Sequence, residues 1–79
     1  MYSSLLTKAR NQNVTLYLCS GRRLAGKIID FDDVFCEVLV RIDEKTGEFA
    51  TQKTELDGAG NGWRDDRILI NMSDISMIA

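Results

Sequence analysis

The chain contains no histidine, no proline and only two cysteines in 79 residues. Cys19 and Cys36 are not arranged as a CxxC motif, so the ligand sets of zinc fingers and the Cys-His pair of cysteine catalysis are both excluded. Two cysteines also cannot build the disulfide framework of a small secreted domain. We expect both to be buried, apolar strand residues of a protein in a reducing compartment.

No apolar run is long enough to span a bilayer, and the segment MYSSLLTKAR lacks the apolar core of a signal peptide. These absences predict a cytoplasmic protein. Asp30, Asp32 and Asp33 have no nucleophile or base beside them. Residues 57–62 match neither a phosphate-binding loop nor a calcium loop. The sequence therefore predicts no enzyme, no metal and no cofactor.

The residues that are present suffice for one small core. Hydrophobic residues make up 44% of the chain, which we expect to form a single domain, residues 1–79. A chain this short buries only about 60% of its unfolded surface, so self-association is expected. The net charge is −2, but residues 1–29 carry five bases and no acid, whereas residues 30–79 carry five bases and twelve acids. This asymmetry predicts either a basic edge beside an acidic body or an ordinary solvated surface.

The beginning of the chain predicts a short helix. Ser3 or Ser4 suits its N-cap, and Asn11 or Asn13 suits its exit, because Asn tolerates the left-handed conformation. Its apolar positions follow the i, i+3, i+4, i+7 spacing and are Tyr2, Leu5, Leu6 and Ala9.

Three antiparallel strands are predicted at residues 14–19, 24–31 and 34–42. Residues 20–23 are typical of a hairpin turn, and Asp32-Asp33 of a second turn. Gly26 lies inside the second strand, where glycine permits a sharp bend. The apolar face of the third strand consists of Val34, Cys36, Val38, Val40 and Ile42.

Residues 43–66 are predicted to be a long variable loop. Within it, residues 48–56 are expected to return as a hairpin arm, and residues 57–62 to be a flexible connector. Trp63, with Arg64 and Arg67 nearby, either packs over the sheet or is exposed as an anchor for a base or a protein partner. Two short apolar strands follow at residues 68–70 and 75–78.

This order of elements resembles the Sm and Sm-like family. The segment LLTKARNQNVTLYLCSGRRLAGKIIDFDDVFCEVLV resembles the family's first motif, and VTLYLCSGRRLAGKIIDFD is especially similar to the bacterial Hfq branch. ILINMSDISMIA resembles the second motif. The resemblance covers the chain except for residues 43–66. It implies a mainly β fold, in which an N-terminal helix precedes a strongly bent five-stranded antiparallel sheet that forms an open barrel.

The resemblance also implies assembly. Sm-like proteins form rings of six or seven subunits, in which the fourth strand of one subunit pairs with the fifth strand of the next. Short, apolar, proline-free strand edges favour such association on physical grounds. The implied partner is therefore the chain itself, with no membrane partner. The implied interface residues are Ile68, Leu69, Ile70, Ile75, Met77 and Ile78.

Single-stranded RNA is the further partner that the resemblance implies, but the uridine pocket is degraded. Its positions fall on Asp32, Val34 and Cys36, with Asn71 and Met72 at the second motif. Only Asp32 keeps the expected residue, because Val34 offers no π-face to a base and Cys36 replaces an amide poorly. We expect Asp32 to cap the turn backbone in preference to contacting a base.

Two functions from different classes remain open. One is an Sm-like ring that binds RNA outside the degraded pocket. The alternative is a homo-oligomeric scaffold that binds protein and no nucleic acid, which the acidic body favours. Binding that weakens steeply with salt would separate RNA from protein as the partner. The residues predicted to contact RNA outside the pocket are Lys8, Arg10, Arg22, Arg23 and Trp63.

Overall fold

The computed structural model describes residues 3–58 and 60–79. One helix precedes a five-stranded antiparallel sheet of order β4-β3-β2-β1-β5, so the predicted mainly β class is confirmed. The sheet is not closed, because β4 and β5 are its two edges. The elements are α1 (Ser3–Ala9), β1 (Asn13–Leu18), β2 (Arg23–Phe31), β3 (Phe35–Asp43), a 3₁₀ helix (Lys53–Leu56), β4 (Trp63–Asn71), a 3₁₀ turn (Met72–Asp74) and β5 (Ile75–Ile78).

The helix α1 packs one side against the sheet. Leu6 is fully buried, and Ala9 packs against the same core. Asn11 has a φ of 64°, the left-handed conformation that was expected at the helix exit. Its N–H donates to the carbonyl of Ile28 on β2 at 2.7 Å, which ties the helix exit to the sheet. Tyr2, predicted for the apolar face, lies outside the described residues.

Gly26 permits close contact between β2 and β3. A Cβ at this position would lie 2.5 Å from Val38 Cγ1 and 2.9 Å from the Leu39 carbonyl oxygen. No side chain fits at these separations, so only glycine allows the two strands to approach here. A register shift between Ile28 and Asp30 adds an irregularity further along β2.

The two ends of β2 reach the same short turn. The Met72 N–H donates to the Val34 carbonyl, and the Cys19 N–H donates to the Asp74 carbonyl, both at 2.7 Å. Val34 follows β2, and Cys19 precedes it. The strands β4 and β5 are the two edges of the sheet, about 19 Å apart if five strands lie flat. The four residue steps from Asn71 to Ile75 span at most about 14 Å, so the sheet is curved.

The core lies on the inner face of this curved sheet. Alternate residues of β1 and β3 point into it, as predicted, and Leu16, Val38 and Val40 are fully buried. Val34 does not follow the prediction, because it precedes β3 and its side chain is 51% exposed. The buried cluster consists of Leu6, Val14, Leu16, Leu24, Ile28, Cys36, Val38, Val40, Ile42, Ile70 and Ile75.

The connection from β3 to β4 differs from the predicted hairpin arm and loop. In the described part of this connection, a single bridge forms, between Ile42 and Phe49. The chain then leaves β3, because Ala50 is held by two strands: its N–H donates to the Arg41 carbonyl and its carbonyl accepts from the Ala25 N–H, both at 2.8 Å. We call residues 48–51 the fold-back segment.

The strand β4 is longer than predicted. It begins at Trp63 and stays in register with β3 as far as Asn71. Trp63, Arg64 and Arg67 therefore lie on an edge strand and not in a loop. The strand start was obscured because residues 64–67 are all charged and exposed on both faces of the sheet, so they show no apolar alternation. None of the helices among residues 3–58 and 60–79 has the length and apolarity needed to cross a membrane.

Candidate nucleic-acid interface

Three residues predicted for the uridine pocket meet at one end of the sheet. Asp32 and Val34 lie in the β2–β3 turn, and Asn71 ends β4 in register with Phe35. The hydrogen bond from Met72 to Val34 joins the two segments. We call Asp32, Val34 and Asn71 the turn site.

The polar groups of the turn site bind neighbouring groups of their own turns. Asp32 Oδ1 accepts from the N–H groups of Phe35 and Val34, each at 2.7 Å. These two bonds hold the pKa of Asp32 below its usual value. Asn71 Oδ1 accepts from the N–H of Ser73 at 3.1 Å and from its hydroxyl at 2.9 Å. The expectation that Asp32 caps the turn backbone is confirmed.

Cys36 does not reach the surface of the turn site. Its side chain is fully buried, in register with Ile70 on β4, and burial raises the pKa of its thiol. Cys36 therefore cannot contact a base. Cys19 was also predicted to be buried, and this was wrong: β1 ends at Leu18, so Cys19 lies exposed in the following turn, with Sγ 3.4 Å from the Ser73 carbonyl oxygen.

Arg10 is already paired. Its Nη2 lies 2.7 Å from Asp30 Oδ1, and its guanidinium lies 5.2 Å from the centre of the Phe31 ring. Both members of the ion pair are exposed, which makes the pair weak. Lys8 is exposed in the last turn of α1. Lys8 and Arg10 were both predicted to contact RNA, and the charge of Arg10 is partly neutralised by Asp30.

Trp63 lies far from the turn site. It occupies the opposite end of β4 from Asn71, a separation of about 26 Å along an extended strand. It is partly buried, and its N–H donates to the Gly60 carbonyl at 2.9 Å. Its partial burial agrees with the predicted alternative in which Trp63 packs over the sheet.

Arg41 holds the long connection in place and was not among the residues predicted from the sequence. Its Nε lies 3.0 Å from Asp65 Oδ1, and its Nη1 donates to the carbonyls of Glu55 at 3.2 Å and Gly58 at 3.4 Å. With a side chain only 13% exposed, Arg41 serves the fold of the connection.

Arg22 and Arg23 lie side by side at the β1–β2 turn, as predicted. Gly21 has a φ of 89°, and the Leu18 N–H donates to the Arg22 carbonyl at 2.8 Å, which closes the turn. Both arginines are exposed. Neither takes part in the ion pairs found in the described part of the chain, which join Arg10 to Asp30, Arg41 to Asp65 and Arg67 to Glu37.

The fold-back segment forms a cavity against this turn. Phe49 is 38% exposed there, so its side chain is accessible to a ligand. Neither Glu48 nor Phe49 was predicted to have a role; an aromatic residue within a polar loop was the one available signal. The cavity has a volume of about 330 Å³, and we call it the basic-turn cavity; it is lined by Leu18, Arg22, Arg23, Leu24, Glu48, Phe49 and Thr51.

A second cavity, beside the turn site, has the opposite charge. Phe35 and Leu69 are 43% and 66% exposed there. Of the acidic side chains around them, Asp30 and Glu37 form ion pairs with arginines and Asp32 forms none with the described residues. The cavity therefore keeps a negative charge that disfavours phosphate and favours a basic or apolar partner. Among the residues that the structure describes, no group of three or more Asp, Glu, His or Cys side chains could hold a metal ion. The cavity measures about 190 Å³ and is lined by Asp30, Phe31, Asp32, Phe35, Glu37 and Leu69.

No protein-family model, no curated protein and no solved structure matches the chain. The functional assignment therefore depends on the geometry of these surfaces.

Proposed function

We propose that the chain is an Sm-like subunit that assembles with copies of itself and binds single-stranded RNA at the basic-turn cavity. One observation carries the RNA assignment: Arg22, Arg23 and the exposed Phe49 line one cavity, and among residues 3–58 and 60–79 no acidic side chain forms an ion pair with either arginine. Cationic side chains bind the phosphate backbone, and an aromatic ring provides a stacking surface for a base.

The turn site is a weaker candidate for RNA. Val34 cannot stack a base, and the carboxylate of Asp32 and the amide oxygen of Asn71 accept hydrogen bonds from their own turns. In the neighbouring cavity, Asp30 and Glu37 form ion pairs with Arg10 and Arg67. The negative charge that a uridine phosphate would meet at this end is therefore that of Asp32 and Asp33.

The two sheet edges support self-assembly. β4 and β5 are the two outermost strands of the sheet, and they are the two strands that ring closure in the Sm-like family joins. Leu69 and Met77 are 66% and 51% exposed on these edges. The other four predicted interface residues face the subunit's own core: Ile68, Ile70, Ile75 and Ile78. A β4–β5 contact is heterologous, so it closes into a ring when the rotation between subunits permits.

RNA binding is tested by fluorescence anisotropy with labelled single-stranded RNA at low salt. The double variant Arg22→Ala/Arg23→Ala is expected to bind about tenfold more weakly, because two phosphate contacts are lost. Lys45→Ala/Lys53→Ala removes the same charge from the exposed long connection and is the matched control. Equal losses in both variants would assign binding to net charge alone, and absence of binding by the unaltered protein would refute RNA as the partner.

Assembly is tested by sedimentation. The unaltered protein is expected to sediment as a multiple of its 8.9 kDa chain. Leu69→Lys should give single chains, because it places a charge on the apolar edge. Val34→Lys, at a half-exposed position outside the edge strands, is the control. An unaltered protein that is already a single chain would contradict the assembly proposal.

A protein-binding scaffold is the second candidate. The acidic, apolar cavity at Phe35 and Leu69 favours it, because that surface suits a basic peptide better than a nucleic acid. A scaffold of this kind would not depend on Arg22 and Arg23.

A further inference from the structure

We infer that the basic-turn cavity selects a guanine nucleotide. This inference depends on the proposed RNA binding and adds the identity of the base. It starts from Glu48, an acidic side chain on the wall of a cavity that also holds Arg22 and Arg23. Glu48 is not a member of the three ion pairs in the described part of the chain, so all three charges are free to meet a ligand.

The backbone around Glu48 and Phe49 is fixed by hydrogen bonds. The Glu48 carbonyl accepts from the Asp43 N–H at 2.8 Å, and the Glu48 N–H donates to Thr46 Oγ1 at 3.2 Å. Ala50, the next residue after Phe49, is bonded to both β2 and β3. The two side chains thus project from a supported segment, as a selective site requires.

The chemistry of a carboxylate favours guanine among the four bases. An ionised carboxylate only accepts hydrogen bonds, and its two oxygens match a pair of adjacent donors. Guanine presents N1–H and N2–H side by side on its Watson–Crick edge. Uracil presents one N–H between two carbonyl oxygens that a carboxylate repels, and adenine and cytosine present one amine beside an acceptor nitrogen. Only guanine satisfies both oxygens of Glu48.

The remaining walls fit the rest of one nucleotide. Phe49 offers a ring on which the base can stack, and Arg22 and Arg23 can bind the phosphate. Leu18 and Leu24 reduce the local dielectric constant, which strengthens a hydrogen bond to Glu48. The volume of about 330 Å³ is at the lower end for ligand sites, so the cavity accommodates a single nucleotide unit.

The test compares the labelled hexaribonucleotides UUUGUU, UUUAUU and UUUUUU by anisotropy, and guanosine, adenosine and uridine monophosphates by calorimetry. The guanine hexamer is expected to bind about tenfold more tightly than the other two, because a good bidentate pair discriminates by roughly 5- to 150-fold. Guanosine monophosphate that binds as tightly as the guanine hexamer would make the free nucleotide the ligand. Weaker binding of the monophosphate would make RNA the ligand.

Two variants separate the roles of the cavity residues. Glu48→Gln should abolish the preference for guanine without weakening the all-uridine hexamer, whereas Glu44→Gln, an exposed residue of the same connection, should keep the preference. Phe49→Leu should weaken all three hexamers by roughly 5- to 150-fold through lost stacking. Phe35→Leu, at a similarly exposed phenylalanine, should not.

Equal binding of all three hexamers by the unaltered protein, or a guanine preference that survives Glu48→Gln, would overturn the inference. If the hexamers bind equally but still depend on Arg22 and Arg23, the proposed function stands and the guanine assignment fails. If no hexamer binds at low salt, both fail.

Discussion

The two turns that flank β2 both carry charged side chains, but only the β2–β3 turn uses one of them to hold its own backbone. In the β2–β3 turn, the carboxylate of Asp32 holds the backbone of Val34 and Phe35. In the β1–β2 turn, Gly21 adopts a positive φ, and the main side-chain contribution is a 3.5 Å contact from the Arg22 N–H to Ser20 Oγ. Because Gly21 adopts the turn conformation without hydrogen bonds from the arginine side chains, the side chains of Arg22 and Arg23 are available to a ligand.

The charges of the two turns differ in the same sense. Asp32 and Asp33 sit in one turn, and Arg22 and Arg23 in the other. Hydrogen bonds join both turns to the Met72–Asp74 segment, so their surfaces are close in space and opposite in sign. A polyanion approaching this side of the subunit is directed toward the β1–β2 turn.

The largest expected effect comes from filling the close contact at Gly26, in the strand that joins the two turns. Gly26→Ala places a Cβ against Val38 and the Leu39 carbonyl, and should lower the free energy of unfolding by about 3 kcal/mol. Urea denaturation measures this change. Gly47→Asn is the matched control, because Gly47 has a φ of 73° that Asn tolerates and nothing lies near its Cβ position. A Gly26→Ala protein as stable as the original would show that β2 is not constrained there.

The second effect is on the salt dependence of RNA binding. If Arg22 and Arg23 each neutralise one phosphate, the slope of log affinity against log salt should become shallower by about 1.4 when both are replaced by alanine. Val34→Ala in the turn site should leave the slope unchanged. Anisotropy at four or more salt concentrations gives both slopes, and a shallower slope for Val34→Ala alone would reverse the comparison.

Thermal stability should depend on the β2–β3 turn more than on the β1–β2 turn. Asp32→Ala removes the acceptor of two backbone N–H groups and should lower the Tm. Arg22→Ala removes no side-chain bond to any residue that the structure describes, so it should leave the Tm nearly unchanged. Circular dichroism melts measure both variants. A larger Tm decrease for Arg22→Ala would mean that its side chain, too, is needed for the fold.

The smallest effect is a pH dependence confined to the turn site. The pKa of Asp32 is lowered in the folded protein, so its charge favours folding at pH values above its unfolded pKa of about 3.9. This contribution is lost as the pH falls through the lower folded-state pKa. The Tm difference between the unaltered protein and Asp32→Asn should thus be constant above about pH 5 and shrink toward pH 2. A difference that grows in acid would contradict the lowered pKa.

Local patterns predicted much of the fold. Apolar residues located β1, β2, β3 and β5, and glycine chemistry located the turn at Gly21. At Gly26 a sharp bend was predicted, whereas the structure shows a close contact with β3 there and a register shift further along, between Ile28 and Asp30. The start of β4 was missed, because residues 64–67 are charged and exposed on both faces of the sheet and so show no apolar alternation. Val34 was placed in a strand, because its apolarity does not reveal that Asp32 bonds its N–H.

The candidate site was only half predictable. Arg22 and Arg23 stood out as adjacent charges in a hairpin turn. Glu48 and Phe49 did not, because the hydrogen bond between Ala25 and Ala50 that brings them to the cavity joins residues distant in sequence. Such a bond depends on tertiary structure and leaves no local pattern.

The most direct test of the comparison is ultraviolet cross-linking of UUUGUU to the unaltered protein, followed by tryptic digestion and mass spectrometry. We expect the nucleotide adduct on the peptide of residues 46–53, which carries Phe49. An adduct on the peptide of residues 28–41, which carries Val34 and Phe35, would place the RNA at the β2–β3 turn and contradict the account.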